Sequence, residues 1–390
     1  MRAAQRAVDL PRSGIRAVMD LAAGLPDVLH LEVGEPNFPT PAHIVEAGAE
    51  AARQGHTKYT ASRGYPSLRE AIAAKLQASN RMAVGEDQII VMSGAVTALF
   101  EGFLAIVEPD DAVLLPDPGW PNTEMMVTLA GGRPVRYPLQ ASAGFEPDLD
   151  ALRALADRER PRAIYMNSPG NPTGAVFQRG TIEAICEIAA SVDAFVVSDE
   201  CYEAITFDAA HHSPAEFAPE RCLSAFSFSK TYAMTGWRVG YLVAPPAIVD
   251  VIVKLQEPII SCASAVSQKA AEAALLGPQA VVGEMVGAYR DRRDIMVDLL
   301  GAAGLLVNEP SGAFYIMADI AASGLTGREF ALRLVAERRV AVAPGDTFGP
   351  SGRDLIRISL ASDPDALREG AARIADFVRT ARAERGGAGE

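Results

Sequence analysis

The residue with the clearest chemical potential is Lys230, which closes the apolar run CLSAFSFSK and is followed eight positions later by Arg238 in TGWRVG. An amine becomes a nucleophile only when it loses its proton, and burial beside another cation lowers a lysine pKa toward that condition. Ser227 before it and Arg238 after it suit an anionic group on the same ligand. On its own the segment also fits a solvated lysine at a strand end. Other apolar runs end in complementary residues. After IIVM comes Ser93-Gly94-Ala95-Val96-Thr97, whose small side chains leave the amides at a helix start free to face an anion. After AIYMNSP comes GNPTG, where prolines fix the backbone around Asn171. The run AFVVSDE delivers Asp199, with Tyr202 three positions on. A carboxylate leaving an apolar strand is costly without a cationic partner.

These side chains need a scaffold that brings strand ends together. Seven apolar runs, at 87–93, 111–117, 134–139, 163–169, 194–200, 223–229 and 239–245, alternate with stretches of helical period such as TALFEGFLAIV and RGTIEAICEIAASV. That pattern predicts an α/β fold with a mostly parallel seven-stranded sheet between helices, whose ligands sit at the carboxyl ends of the strands. The expected organisation is a large domain over 45–285, a smaller α/β domain over 286–390, and an N-terminal arm over 1–44 that packs on the small domain. The tail ARAERGGAGE is expected to fray.

The chain has 390 residues, about half of them hydrophobic, enough for a large core. A net charge of −13 and the lack of a Lys/Arg cluster argue against a nucleic-acid partner. Only five lysines occur, so one at the end of an apolar run is not incidental. Cys186, Cys201, Cys222 and Cys262 are scattered and read as reduced core thiols, with no metal-ligand spacing to any histidine. His211 and His212 read as an exposed loop pair. No apolar run is long enough for a membrane helix and the start lacks a signal-peptide core, so a soluble, cytoplasmic protein is expected.

An anion cup, an asparagine turn, an acid after a strand and a serine-lysine-arginine cluster together specify pyridoxal 5′-phosphate, the aldehyde and phosphate ligand that uses all four. The chain resembles the fold-type I pyridoxal phosphate enzymes of the class I and II aminotransferase family nearly end to end. The likeness runs through SGIRAVMDLA, LEVGEPNFPTP, GHTKYTASRGYPSLREAIA, NSPGNPTG, VSDECYEAITF, SFSKTYAMTGWRVGY, PSGAFYIMADI, VAVAPGDTFG and LIRISLA.

The resemblance implies roles residue by residue. Lys230 matches the Schiff-base lysine and proton shuttle, and Asp199 the partner of the pyridine nitrogen. Tyr202 and Asn171 match donors to the phenolic oxygen. Ser227, Arg238 and the amides of Ala95 and Val96 match the phosphate binders, and Trp120 the aromatic stacked on the ring. Arg357 in LIRIS matches the clamp on the substrate α-carboxylate, helped by Asn171 and the backbone of Gly34. Tyr59 matches a tyrosine that reaches the phosphate of the other subunit, which implies a homodimer. The implied reaction is ping-pong transfer of an amino group from an L-amino acid to a 2-oxo acid.

Two departures stand out. Thr123 occupies a position that is aromatic in many relatives and is expected to alter one wall of the substrate pocket. Cys201 replaces a branched apolar residue and is expected to point away from Asp199 into the core. No Lys or Arg lies between Arg81 and Arg133, which favours neutral, apolar or aromatic donors over dicarboxylates. Arg12, Arg16 or a partner residue remain available to supply that charge, so aspartate stays open. A carbon-sulfur lyase or another eliminase is the alternative within the fold, and a sensor half of a transcription regulator is the alternative outside catalysis.

Overall fold

The computed structural model describes residues 3–8, 10–11 and 13–387. Arg12 and the last three residues lie outside the described residues. Among the described residues thirteen strands follow in chain order: β1 Leu29–His30, β2 Ile89–Met92, β3 Ala112–Asp117, β4 Arg133–Gln140, β5 Glu146–Pro147, β6 Ala163–Asn167, β7 Phe195–Asp199, β8 Cys222–Ser227, β9 Gly240–Val243, β10 Tyr315–Asp319, β11 Val340–Ala341, β12 Ala343–Pro344 and β13 Leu355–Ser359.

The central sheet has the order β2-β9-β8-β7-β6-β3-β4-β5. Its interior pairs are parallel, whereas β9 runs antiparallel to both β2 and β8. The seven expected runs form the seven main strands. The eighth, β5, is a two-residue antiparallel addition to β4. Alternate residues of the strands serve opposite faces. Ile89, Val91, Leu114, Ile164 and Val196 pack on the side of helices Pro66–Ser79 and Arg179–Ser191. Ile90, Met92, Val113, Tyr165 and Val197 pack on the side of helices Ala95–Ile106 and Pro246–Ile259. Burial on both faces explains why the strands read as continuous apolar runs.

A separate core gathers Val18, Ala22 and Leu31 from the N-terminal part with Ile316, Phe330, Leu334, Ile356 and Phe377. Helix Gly14–Ala23 buries Gly14, Val18 and Ala22, one stripe at i, i+4 and i+8. β1 pairs in parallel with β11, and Leu31 O accepts from Ser359 N at 2.8 Å. The three-stranded antiparallel sheet β10-β13-β12 sits in this core. Helix Ala280–Ala302 runs unbroken across positions 285 and 286. The C-terminal segment is helical from Pro364 to Gly387, so residues 381–387 continue that helix. Among the described residues no helix is long and apolar enough to cross a membrane.

Candidate active site

The carboxyl ends of β2, β3, β6, β7 and β8 open into one cavity of about 320 Å³ that also receives Arg357 from β13. Lys230, Asp199, Tyr202, Ala95, Val96, Trp120, Asn171, Ser227, Arg238, Gly34 and Arg357 all line it. The twelfth candidate, Tyr59, lies apart from it and is 87% exposed.

Lys230 does not end a strand. β8 stops at Ser227, which caps a one-turn helix, Phe228–Thr231, by accepting from Ser229 N at 3.1 Å. A serine in extended conformation is a favoured cap, and this one turns the chain so that Lys230 faces the cavity. Its Nζ donates to Gly34 O at 2.7 Å. Burial holds the amine below the ordinary lysine range. Cys201 and Glu35 oppose that shift, and the cations Arg357 and Arg238 add to it.

Asp199 is the last residue of β7, in register with Asn167 and Ala225. Tyr165 Oη donates to its Oδ2 at 3.3 Å and Cys201 N to its Oδ1 at 3.2 Å. Burial raises the carboxyl above its usual range against the hydrogen bonds of Cys201 and Tyr165, and the charge of Glu200 adds to the rise. Among the described residues it has no cationic partner. Cys201 lines the cavity beside Asp199, contrary to the expectation that it points away, because its amide folds back onto the carboxylate.

Asn167 Oδ1 accepts from Asn171 N at 2.7 Å and so holds the turn. Asn171 Oδ1 then accepts from Arg357 Nη1 at 2.9 Å. Arg357 is 2% exposed, donates also to Glu32 O, and lies near the rings of Tyr315 and Phe348. Helix Ala95–Ile106 starts at Gly94, whose φ of 86° is open to glycine and strained for other residues. A Cβ there would come within 2.9 Å of Arg238 Nη2. No side chain caps this helix start, so its first amides remain available to an anion.

The arrangement fits pyridoxal 5′-phosphate. A buried acid lacks a cation, a depressed lysine faces the same space, and a glycine keeps a guanidinium and free helix amides clear for a phosphate. Among the described residues no cluster of potential metal ligands occurs.

Several cavity residues escaped the sequence reading. Tyr315 meets Tyr202, hydroxyl to hydroxyl, at 2.7 Å; the one available signal was a hydroxyl in an apolar strand, which needs a partner when buried. Ile15 and Met19 also line the cavity, on a helix stripe that reads as ordinary packing. Thr123 is buried and does not line the cavity, so no side chain at that position adds to the substrate wall. His211 is not exposed: its Nε2 is 2.9 Å from Glu200 Oε2, and its side chain is 9% accessible.

Fold and cavity together define a fold-type I pyridoxal phosphate enzyme. Residues 26–374 match the family model for aminotransferase class I and II. The chain is 39% identical over 373 residues to the aspartate aminotransferase of Pyrococcus abyssi, covering 94% of this chain and 96% of that one. The structure of Thermus thermophilus aspartate aminotransferase with maleate superposes with a TM-score of 0.92 at 36% identity, covering 97% and 100% of the two chains. The aromatic aminotransferase of Pyrococcus horikoshii gives a TM-score of 0.88 at 37% identity, covering 93% and 99%. The chain belongs to the class I and II aminotransferase family. It is a pyridoxal phosphate-dependent transaminase acting on amino acids and 2-oxo acids.

Proposed function

We propose that this transaminase takes a neutral, apolar or aromatic L-amino acid as donor. The observation that carries the reading is the cavity wall. Ile15, Met19, Val33, Leu99 and Trp120 surround the space, and among the described lining residues the cations are Lys230, Arg238 and Arg357. With the first two assigned to the cofactor and the third to the α-carboxylate, none is left for a distal carboxylate. Arg16 is exposed and does not line the cavity. The names of two relatives favour a second reading, aspartate, and that of the third an aromatic donor.

The position of each cavity residue supports a role in this reading. Lys230 holds the cofactor aldehyde, and its amine later moves the proton at the substrate α-carbon. Asp199 supplies the negative charge that keeps the pyridine nitrogen protonated. Tyr202 and Asn171 donate toward the phenolic oxygen. Ser227, Arg238 and the amides of Ala95 and Val96 hold the phosphate, and Trp120 covers the ring. Arg357, steadied by Asn171, pairs with the α-carboxylate beside Gly34. When bound, pyridoxal phosphate supplies the electron sink that makes the α-hydrogen acidic.

Tyr59, exposed on the protein surface, is read as reaching the neighbouring subunit's phosphate, and the active form as a homodimer. The arm, large domain and small domain divide near residues 44 and 285. The four free cysteines, two of them buried, support a reducing, cytoplasmic compartment.

The test is a donor screen against 2-oxoglutarate and pyruvate. Coupled 2-oxo acid formation with parallel-line kinetics, fastest for aromatic or aliphatic donors, supports the reading. Aspartate at the head of the series overturns the donor class. Ammonia or thiol release without a coupled 2-oxo acid overturns transamination.

A further inference from the structure

Tyr315 touches three functional groups at once. It opens β10 and is almost completely buried. Its hydroxyl lies 2.7 Å from that of Tyr202, with the rings edge to face at 5.6 Å. The Arg357 guanidinium carbon sits 4.3 Å from its ring centre. The hydroxyl also rests against Gly34, where a Cβ would collide with it, and the Gly34 carbonyl accepts from Lys230.

Two facing hydroxyls share one proton between them. If Tyr202 spends its own proton on Tyr315, none is left for a ligand in the cavity. Tyr202 therefore acts as a donor toward the cavity only when Tyr315 donates to it. Burial pushes the Tyr315 phenol up, with Arg357 and Tyr202 opposing and Cys201 and Asp199 adding, so this proton stays in place at working pH. A hydroxyl that accepts one hydrogen bond donates a stronger one. The Arg357 cation over the ring makes Tyr315 the better donor, and a bound carboxylate weakens that influence.

We propose that Tyr315 is a positioning residue that transmits the state of the carboxylate clamp, Arg357, to the cofactor-facing hydroxyl of Tyr202. The proposal rests on the reading of Tyr202 as donor to the phenolic oxygen. It adds a second route to the direct hydrogen bond between Arg357 and Asn171. Weaker donation leaves more negative charge on the phenolic oxygen, which holds the proton on the lysine nitrogen to higher pH.

The test is the pH midpoint of the visible absorbance of the holoenzyme, with and without 3-phenylpropanoate, a carboxylate that has no amino group to react. Tyr315→Phe keeps the ring and raises the midpoint by about half a unit. It also reduces the further rise caused by 3-phenylpropanoate. In a Tyr202→Phe background the same change adds nothing. Incorporation of 3-fluorotyrosine at position 315 strengthens the donor and moves the midpoint down, a check that survives if Tyr315→Phe does not fold. The proposal is overturned if either change at position 315 leaves the midpoint in place, or if Tyr315→Phe acts equally in the Tyr202→Phe background. A parent enzyme with no visible band, or one whose band ignores every amino acid, would instead refute the functional reading on which this rests.

Discussion

Lys230 and Gly34, 196 residues apart, are joined by a 2.7 Å hydrogen bond from the amine to the carbonyl. The bond ties the loop after β8 to the N-terminal segment that also gives Glu32 O to Arg357. Thr40 Oγ1 donates to Ala233 O at 2.6 Å and strengthens the same link. One segment thus registers the amine against the guanidinium.

Removing the amine should abolish both cofactor attachment and turnover. Lys230→Ala is expected to lose the visible band and transamination while keeping its fold by circular dichroism. For the parent apoprotein, burial lowers the lysine pKa, so the deprotonated, reactive form is present at lower pH than for an ordinary lysine. The rate of cofactor uptake should rise with pH and level off below the ordinary lysine pKa of ~10.4. A plateau reached only above that value contradicts the depressed amine.

In the proposed assignment, Arg357 acts on the substrate and not on cofactor attachment. Arg357→Ala should leave the visible band intact and raise KM for the donor by roughly 100- to 1,000-fold, the loss of a buried charge-assisted pair at about 1.4 kcal/mol per tenfold. Steady-state kinetics separate the two effects. Loss of the band with Arg357 would reverse its assigned role.

Asp199 is buried with no cation beside it among the described residues, so its charge is stabilised only when one arrives. Asp199→Asn keeps the size and removes the charge. It should weaken cofactor retention during dialysis and lower kcat by roughly 100-fold or more, about 3 kcal/mol of lost charge pairing. Unchanged retention and kcat would show that the acid has no ring partner.

Much of this architecture was readable because strands buried on both faces leave unbroken apolar runs, as in IIVM and FVVSD. The polar residues at their ends marked the cavity. What stayed hidden depended on local geometry or tertiary context. Glu146–Pro147 is too short to show a period. The helix holding Lys230 is a single turn set by the Ser227 cap, so its residues read as a continued strand. His211 looked solvated because its partner, Glu200, lies on another element. Cys201 follows an acidic strand end and Tyr315 sits in an apolar run, and neighbours brought by the fold, more than spacing, decide which way they face.

One buried acid outside the cavity gives a test of the fold itself. Glu101 lies within helix Ala95–Ile106, is fully buried, and neither carboxylate oxygen has a hydrogen-bond partner among the described residues. Burial pushes its pKa from 4.5 to about 7. For an acid whose folded pKa exceeds its unfolded one, the folded state binds the extra proton between the two values. Stability therefore falls as pH rises through that window and then stays low. Glu101→Gln removes the ionisation and keeps the shape. The variant should gain about 1–3 kcal/mol over the parent at pH 8 and little at pH 4.5, the upper figure being the full pKa difference. Urea unfolding of the apoprotein at the two pH values measures this, and an equal gain at both would mean that Glu101 does not titrate in the folded state.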